Sequence, residues 1–233
     1  MTARGKLIVI EGIDGSGKRT QIEMLAQTFE QRAIPYIHVN FPNYEGFFGN
    51  LVAKFLNGEF GTLGEVDPHF SALLYAGDRL ESKPKIETAL AAGKNVLADR
   101  YVGSNLAHQG ARVEPDKRPE FMDWLRELEY RVYGLPAEDL VIYLRVPVDE
   151  AHRLIGEKSK RGYTKLRHDI QERNRNHLET ASWVYEHLAH QANWVRVDCM
   201  SGGAGSLRTP AEIHSDVLAA IDERLLAPTV DGR

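Results

Sequence analysis

Two short segments carry residue types at spacings suited to handling phosphate. The first is Gly12-Ile13-Asp14-Gly15-Ser16-Gly17-Lys18. Glycines at 12, 15 and 17 allow positive φ, so successive backbone N–H groups can turn onto an anion at close range, and Lys18 adds a point charge for β- and γ-phosphates. The second is Asp99-Arg100-Tyr101, a carboxylate beside a guanidinium. A carboxylate of this kind can order Mg²⁺ or its waters, and an arginine can grip a phosphate bidentately. Phosphoryl transfer needs these groups, because its catalysis is mostly positioning and charge neutralisation. A third segment, from Glu157 to His168, gathers Lys158, Lys160, Arg161, Lys165 and Arg167 in a chain of net charge −4. It reads as a basic lid, about residues 156–168, that carries a cation onto the moving phosphoryl group and excludes water.

Such side chains need rigid elements beneath them. Short apolar runs recur at Lys6–Glu11, Tyr36–Phe41, Asn95–Asp99, Leu140–Val146 and Trp194–Asp198, and most lack a polar alternate face. Each has the length and pattern of a buried strand. Between them lie helical periodicities, such as Ile22, Leu25, Ala26 and Phe29, or Leu178, Ala181, Val184, Tyr185 and Leu188. The alternation predicts an α/β fold: a mainly parallel five-stranded sheet flanked by helices in three layers, with ligands at the carboxyl ends of the strands. The glycine-rich loop directly follows the first strand and runs into a helical pattern near Lys18. That strand–loop–helix context is the one a P-loop requires. Asp99 closes the third strand, at the same edge of the sheet.

Composition narrows the rest. With 42% hydrophobic and 27% charged residues over 233 positions, the chain sits near the globular average, which excludes fibrous, disordered and membrane-embedded classes. The negative net charge provides no global field for a nucleic-acid backbone, so nucleic acid is not an expected partner. Cys199 is the single cysteine, and the apolar run Leu7–Ile10 is too short for a signal core or a bilayer span, so a cytoplasmic, membrane-free protein is expected. No linker or repeat divides the chain, and residues 1–233 read as one domain with a frayed tail at about 226–233 and a loose Gly-rich loop at Ser201–Ser206. His168, His177, His187 and His190 fall on or beside the helix after the basic segment, where solvated positions are expected and no zinc is assigned.

Taken in order, the segments from about Lys6 to Ile221 resemble the thymidylate kinase family, P-loop enzymes that phosphorylate dTMP to dTDP with ATP. Ile10-Glu-Gly-Ile-Asp-Gly-Ser-Gly-Lys18 is similar to the family's phosphate loop, Phe41-Pro42-Asn-Tyr44 to its second-strand motif, and Leu74-Tyr75-Ala-Gly-Asp-Arg79 to the segment whose aromatic stacks on thymine and whose arginine meets a base carbonyl. Asp99-Arg100-Tyr101 with Ser104, Asn105 and Gln109 resembles the stretch lining the nucleoside pocket. Gly134-Leu-Pro136 with Asp139–Leu144, and Asp169-Ile-Gln-Glu172, resemble the approach to the fourth strand and the start of the helix after the lid. The resemblance implies ATP held by Gly12–Thr20, which includes Arg19, and dTMP held by Phe41, Tyr44, Tyr75, Arg79, Arg100, Ser104, Asn105, His108 and Gln109. It further implies Mg²⁺ near Asp14, Asp99 and Glu172, catalytic charge from Lys18 and Arg100 with Lys160, Arg161 or Arg167 of the lid, and a homodimer.

The chain departs from the family pattern at four places, Arg19, His108, Tyr75 and Arg145, and at Gly15 it follows one branch of the family. Arg19 stands where the strict motif has a hydroxyl ligand for Mg²⁺, and Thr20 lies about 100° further round the helix. Gly15 occupies a position where some members place a basic residue, which points to the lid as the source of charge. His108 replaces a tyrosine beside the sugar's C2′, and Tyr75 replaces a phenylalanine, adding a hydroxyl that needs a partner. Arg145 falls where an acidic residue is common. Two other readings stay open at this stage: a deoxynucleoside kinase, which shares the fold and loop but takes a neutral hydroxyl acceptor, and a non-catalytic P-loop nucleotide-binding protein.

Overall fold

Each apolar run expected as a strand forms one. The computed structural model describes residues 3–157, 175–202 and 205–226. Its strands are β1 (Leu7–Glu11), β2 (Tyr36–Asn40), β3 (Asn95–Asp99), β4 (Leu140–Arg145) and β5 (Trp194–Asp198), all parallel and ordered β2-β3-β1-β4-β5. The β1 side chains are buried along the whole strand. This explains the unbroken apolar run, since a central parallel strand is covered on both faces. Asp139 fixes its start by accepting from Leu7 N–H at 2.9 Å and from Lys6 at 3.1 Å.

Helices α1 (Lys18–Gln31), α2 (Phe47–Leu56), α3 (Pro68–Ala91), α4 (Val102–Gly110), α5 (Arg118–Arg126), α6 (Val148–Glu157), α7 (Arg175–Leu188) and α8 (Pro210–Ile221) flank the sheet. The apolar faces of α1 and α7 are those read from the sequence: Ile22, Leu25 and Phe29, and Leu178, Ala181, Val184, Tyr185 and Leu188, are buried. Burying each such aliphatic side chain is worth about 2 kcal/mol. A smaller cluster of Val52, Phe55, Leu56, Val66 and Leu74 forms between α2 and α3, with Tyr44 and Tyr75 packed on it. The described ends of the Ser201–Ser206 loop are tied together, since Ser201 N–H donates to Ser206 C=O at 2.8 Å and Met200 pairs with Leu207, whereas residues 203 and 204 lie outside the described residues.

The helix N-termini differ in how their free N–H groups are met. Asp67 caps α3 by accepting from His69 N–H at 2.7 Å, and Thr209 with Glu212 forms a reciprocal capping box on α8. By contrast, α1 begins after Gly17 with no side-chain cap and no acidic residue in its first turn. An uncapped helix start, positive in its partial charge, is suited to an anion. The α4 helix is capped from outside itself, by Glu11 at the end of β1.

Candidate active site

The glycine loop turns where β1 ends. Gly12, Gly15 and Gly17 have φ of 146°, 88° and 86°, all in the region that favours glycine. At Gly15 a side chain is also excluded by space, since a Cβ would lie 2.5 Å from the Ala151 carbonyl oxygen of α6. A basic residue of the kind some family members place here does not fit this position without strain. Lys18 is buried and donates to the Gly12 and Ile13 carbonyls at 2.9 Å each. Burial and the Arg100 charge push its pKa down to about 7, against the opposing pull of Asp14, Asp99 and Glu11. Arg19 points away from the loop, exposed and paired with Glu23 at 2.8 Å, and Thr20 is exposed beside it.

The parallel register sets Asp99 beside Ile10, so β1 and β3 end together. Arg100 N–H donates to Ile10 C=O at 3.0 Å, and the residue takes a φ of 68°, unusual for a side-chain-bearing position. This turn swings its guanidinium back over the loop. There Nη2 pairs with Asp14, while Nη1 donates to Ser104 Oγ at 3.2 Å and approaches His108 Nε2 at 3.5 Å. Beneath it Glu11, fully buried, accepts from Tyr101 N–H at 2.8 Å, Ser104 N–H at 2.9 Å, Ser104 Oγ at 2.6 Å and Tyr185 Oη at 2.8 Å. One carboxylate thus caps α4, orients Ser104 and anchors α7.

Further along, an adjoining part of the site is lined by α3 and α4. Arg79 is 1% exposed, and its Nε and Nη2 bind Glu129 at 2.5 and 2.6 Å, leaving Nη1 outside that pair. Glu129 sits on wider π-type turns at Glu127–Val132 that continue α5, and it also accepts from Asn105 Nδ2 at 2.8 Å. Gln109 Oε1 accepts from Ser71 Oγ at 2.8 Å and Arg112 Nη1 at 2.7 Å. Two buried amide atoms in this region have no hydrogen-bond partner among the described residues, Asn105 Oδ1 and Gln109 Nε2. Unmet buried polar atoms are costly in a core and point to a ligand. Tyr75 and Tyr44 keep partial exposure, with the Phe55 ring edge-on to Tyr75 at 6.3 Å, whereas Phe41 is buried against Tyr101 at 5.7 Å.

The structure therefore brings Gly12–Lys18, Asp99, Arg100, Ser104 and His108 to one place and Arg79, Asn105 and Gln109 to an adjoining one. Lys160, Arg161, Arg167 and Glu172 lie outside the described residues, as do most of the expected lid and of the tail. One expectation is corrected: His177 is not a solvated surface residue but is 5% exposed, with its Nε2 at 3.3 Å from His108 Nδ1. The two rings meet because α7 packs on α4. His187 and His190 are exposed as expected.

Glu11, Glu129, His177 and Tyr185 support the site without a site role expected from the sequence. Glu11 left a signal, a lone charge ending a buried apolar strand, and the other three left none of that kind. Arg145 gains an account: it bridges Glu186 at 3.2 Å and Asp198 at 3.6 Å at the end of β4.

A family model described as thymidylate kinase matches residues 10–202. The thymidylate kinase of Plasmodium falciparum (isolate 3D7) is 28% identical over 228 residues, covering 97% of this chain and 93% of that protein. That of Mycobacterium tuberculosis (strain ATCC 25618 / H37Rv) is 30% identical over 215 residues, covering 90% and 100%. The solved thymidylate kinase of Candida albicans matches the fold with a TM-score of 0.74 at 21% identity, covering 96% of this chain and 93% of that one. With a family match running from β1 past β5 and a relative 30% identical over 215 residues, this chain belongs to the thymidylate kinase family.

Proposed function

We propose that this chain transfers the γ-phosphoryl group of ATP to the phosphate of dTMP, giving dTDP and ADP by direct in-line displacement. The observation that carries the reading is the Arg100–Asp14 ion pair, which places an arginine suited to an acceptor phosphate against the loop suited to the donor. Both cations belong to one cluster, since Lys18 feels the charges of Arg100, Asp14 and Asp99. The α1 N-terminus and the loop N–H groups hold the donor phosphates, and Lys18, once drawn to them, neutralises the charge that develops. Arg100 orients the attacking acceptor oxygen, so no protein nucleophile is required.

At the base end Tyr75 and Tyr44 supply aromatic surface, and Arg79 Nη1 with Gln109 Nε2 offers donors to base carbonyls. Asn105 Oδ1 accepts from the ring N–H. This pattern suits a thymine edge, which alternates acceptor, donor and acceptor. A neutral nucleoside would leave Arg100 without its anion, which disfavours the nucleoside-kinase reading.

The residues present also fit Mg²⁺, a hard cation that takes oxygen ligands. Ser16 Oγ and Asp99 Oδ1 are buried oxygens without a hydrogen-bond partner among the described residues, next to the loop. They and Asp14 would hold the ion in place of the hydroxyl missing at Arg19, and the metal would neutralise charge on the donor phosphates. A homodimer accords with exposed apolar side chains on neighbouring elements: Phe47 on α2, Phe60, and Phe70, Leu73 and Leu80 along α3. The last three fall on one helical stripe, and a second copy would cover it. No helix among the described residues is long and apolar enough to cross a membrane, and the single buried cysteine suits a reducing, cytoplasmic setting.

A coupled ADP-release assay tests the reading, with ATP, Mg²⁺ and, separately, dTMP, dUMP, dCMP, dGMP, ribo-TMP and thymidine. Strong turnover with dTMP is expected. Turnover on thymidine instead, or silence on every acceptor while ATP still binds, would overturn it.

A further inference from the structure

His108 and His177 form a buried pair that the phosphoryl-transfer reading does not use. His108 Nδ1 lies 3.3 Å from His177 Nε2, and His108 Nε2 faces Arg100 Nη1 at 3.5 Å. A guanidinium can only donate, so the nitrogen facing it must present a lone pair. The proton of a neutral His108 is then on Nδ1, where it can only be given to His177 Nε2. That nitrogen must in turn be an acceptor. Protonating either ring would set N–H against N–H at one of the two contacts, and burial holds both groups neutral, with His177 pushed down to about 4 and His108 also lowered. The chain of donors therefore has one direction, from Arg100 to His108 and from His108 to His177.

The pair also has a particular place in the fold. His108 is the last polar residue of α4 before Gln109, whereas His177 is in the first turn of α7. His177, Ala181 and Tyr185 share one face of α7, which packs on α4. Tyr185 reaches Glu11 and Ser104 from that face, and its ring meets His108 edge-on at 6.1 Å. Arg100 is thus held by Asp14 from the phosphate loop, by Ser104 and His108 from α4, and behind them by α7.

We propose that His177 is a positioning residue for the acceptor arginine: it holds His108 in the tautomer whose Nε2 lone pair faces Arg100, so that the seating of α7 sets the orientation of the guanidinium. This rests on the reading that Arg100 grips the acceptor phosphate. Without His177, the His108 proton is free to move to Nε2, where it opposes Arg100, and the guanidinium loses one of the partners that fix its plane. Acceptor binding weakens more than donor binding, because His177 acts through the His108–Arg100 contact.

The test compares the full-length chain with His177→Phe, which keeps a ring but no acceptor, and His177→Gln, whose Oε1 can still accept from His108. Titration calorimetry with dTMP and with ATP is paired with ¹⁵N NMR of the histidine rings. Expected are a roughly tenfold loss of dTMP affinity in His177→Phe, a clearly smaller loss of ATP affinity, and recovery of most of the loss in His177→Gln. The spectra should show His108 protonated at Nδ1 in the parent chain and a mixture of tautomers in His177→Phe. An Nε2-protonated His108 in the parent, equal losses in both variants, or parallel losses of dTMP and ATP affinity would overturn the proposal. If the parent chain bound no dTMP, the function reading would fail, and the NMR arm would still decide whether the histidine chain exists.

Discussion

The two halves of the site are built in different ways. On the proposed donor side the phosphate-binding groups would be backbone N–H groups, three glycines with positive φ and one lysine, contiguous within Gly12–Lys18. On the acceptor side they are side chains drawn from β1, β3, α3, α4, α7 and the π-type turns after α5, joined by contacts that span long stretches of sequence. Arg79 meets Glu129 across 50 residues, His108 meets His177 across 69, and Glu11 meets Tyr185 across 174. A loop that binds through its backbone is specified by local geometry, so its glycines suffice to reveal it. A pocket that binds through fixed side chains must also have each of those side chains held, and the residues that hold them can come from anywhere in the fold.

The sharpest way to break this contrast is at Lys18, the side chain proposed to neutralise the donor phosphates. Lys18→Ala should lower turnover on the order of 10³-fold, about 4 kcal/mol, with the fold intact by circular dichroism. Near-normal turnover would show that the loop's backbone does the work alone and would remove the phosphate-loop assignment. No comparable collapse of turnover is expected from any one of the acceptor side's supporting residues.

On the acceptor side the largest expected effect is on stability. Glu129→Leu leaves the Arg79 guanidinium, 1% exposed, without its partner carboxylate. Removing one member of a buried pair is expensive because the remaining charge stays desolvated, so a loss of about 3 kcal/mol is expected in urea unfolding. Arg79→Met combined with Glu129→Leu should recover most of it, since an apolar pair has no charge to strand. A cost below about 1 kcal/mol for the single change would mean that Arg79 reaches water or another partner when Glu129 is gone.

This difference also explains what could be read in advance. The strand runs, the helix faces of α1 and α7, the loop and the Asp99-Arg100 strand end were legible because each rests on local periodicity or on a glycine's freedom. His177 was misread because its position on α7 was judged by its polarity, whereas the register with Ala181 and Tyr185 decides that it faces α4. Glu129 was invisible because a wider turn, which no simple helical period anticipates, carries it inward. Glu11 could have been found, since a charge at the end of a buried strand must be met by several donors.

On the donor side Lys18 carries a pH signature. Lys18 titrates at about 7 in its buried setting, against an ordinary 10.5, and phosphate oxygens drawn close to it raise that value again. Binding ATP must therefore take up a proton between pH 7 and the raised value. The sign follows from linkage: affinity is fullest below pH 7 and weakens as pH rises, by up to about tenfold per unit. Calorimetry in two buffers of different ionisation enthalpy at pH 8 should show proton uptake with ATP. Uptake equal in Lys18→Ala would assign the proton elsewhere. On the acceptor side the neutral histidines keep their state across this range, so dTMP affinity should change little.

The smallest expected effect separates two roles of His108 that the geometry joins. The ring is flanked by His177, at 5.5 Å between centroids, and Tyr185, at 6.1 Å, while its Nε2 faces Arg100 at 3.5 Å, the direction in which a longer side chain would extend. His108→Tyr should therefore extend toward the sugar and penalise a 2′-hydroxyl, raising the ratio of kcat/KM for dTMP over ribo-TMP roughly fivefold, about 1 kcal/mol. The same change cuts the link from Arg100 to His177, so dTMP affinity itself should fall at the same time. Combining it with His177→Leu, which opens space on α7, should let the phenol swing back and cancel the gain in selectivity. A ratio that stays constant through both variants would place the sugar away from His108. The residue would then serve the acceptor side only through Arg100, as one more side chain whose task is to hold another.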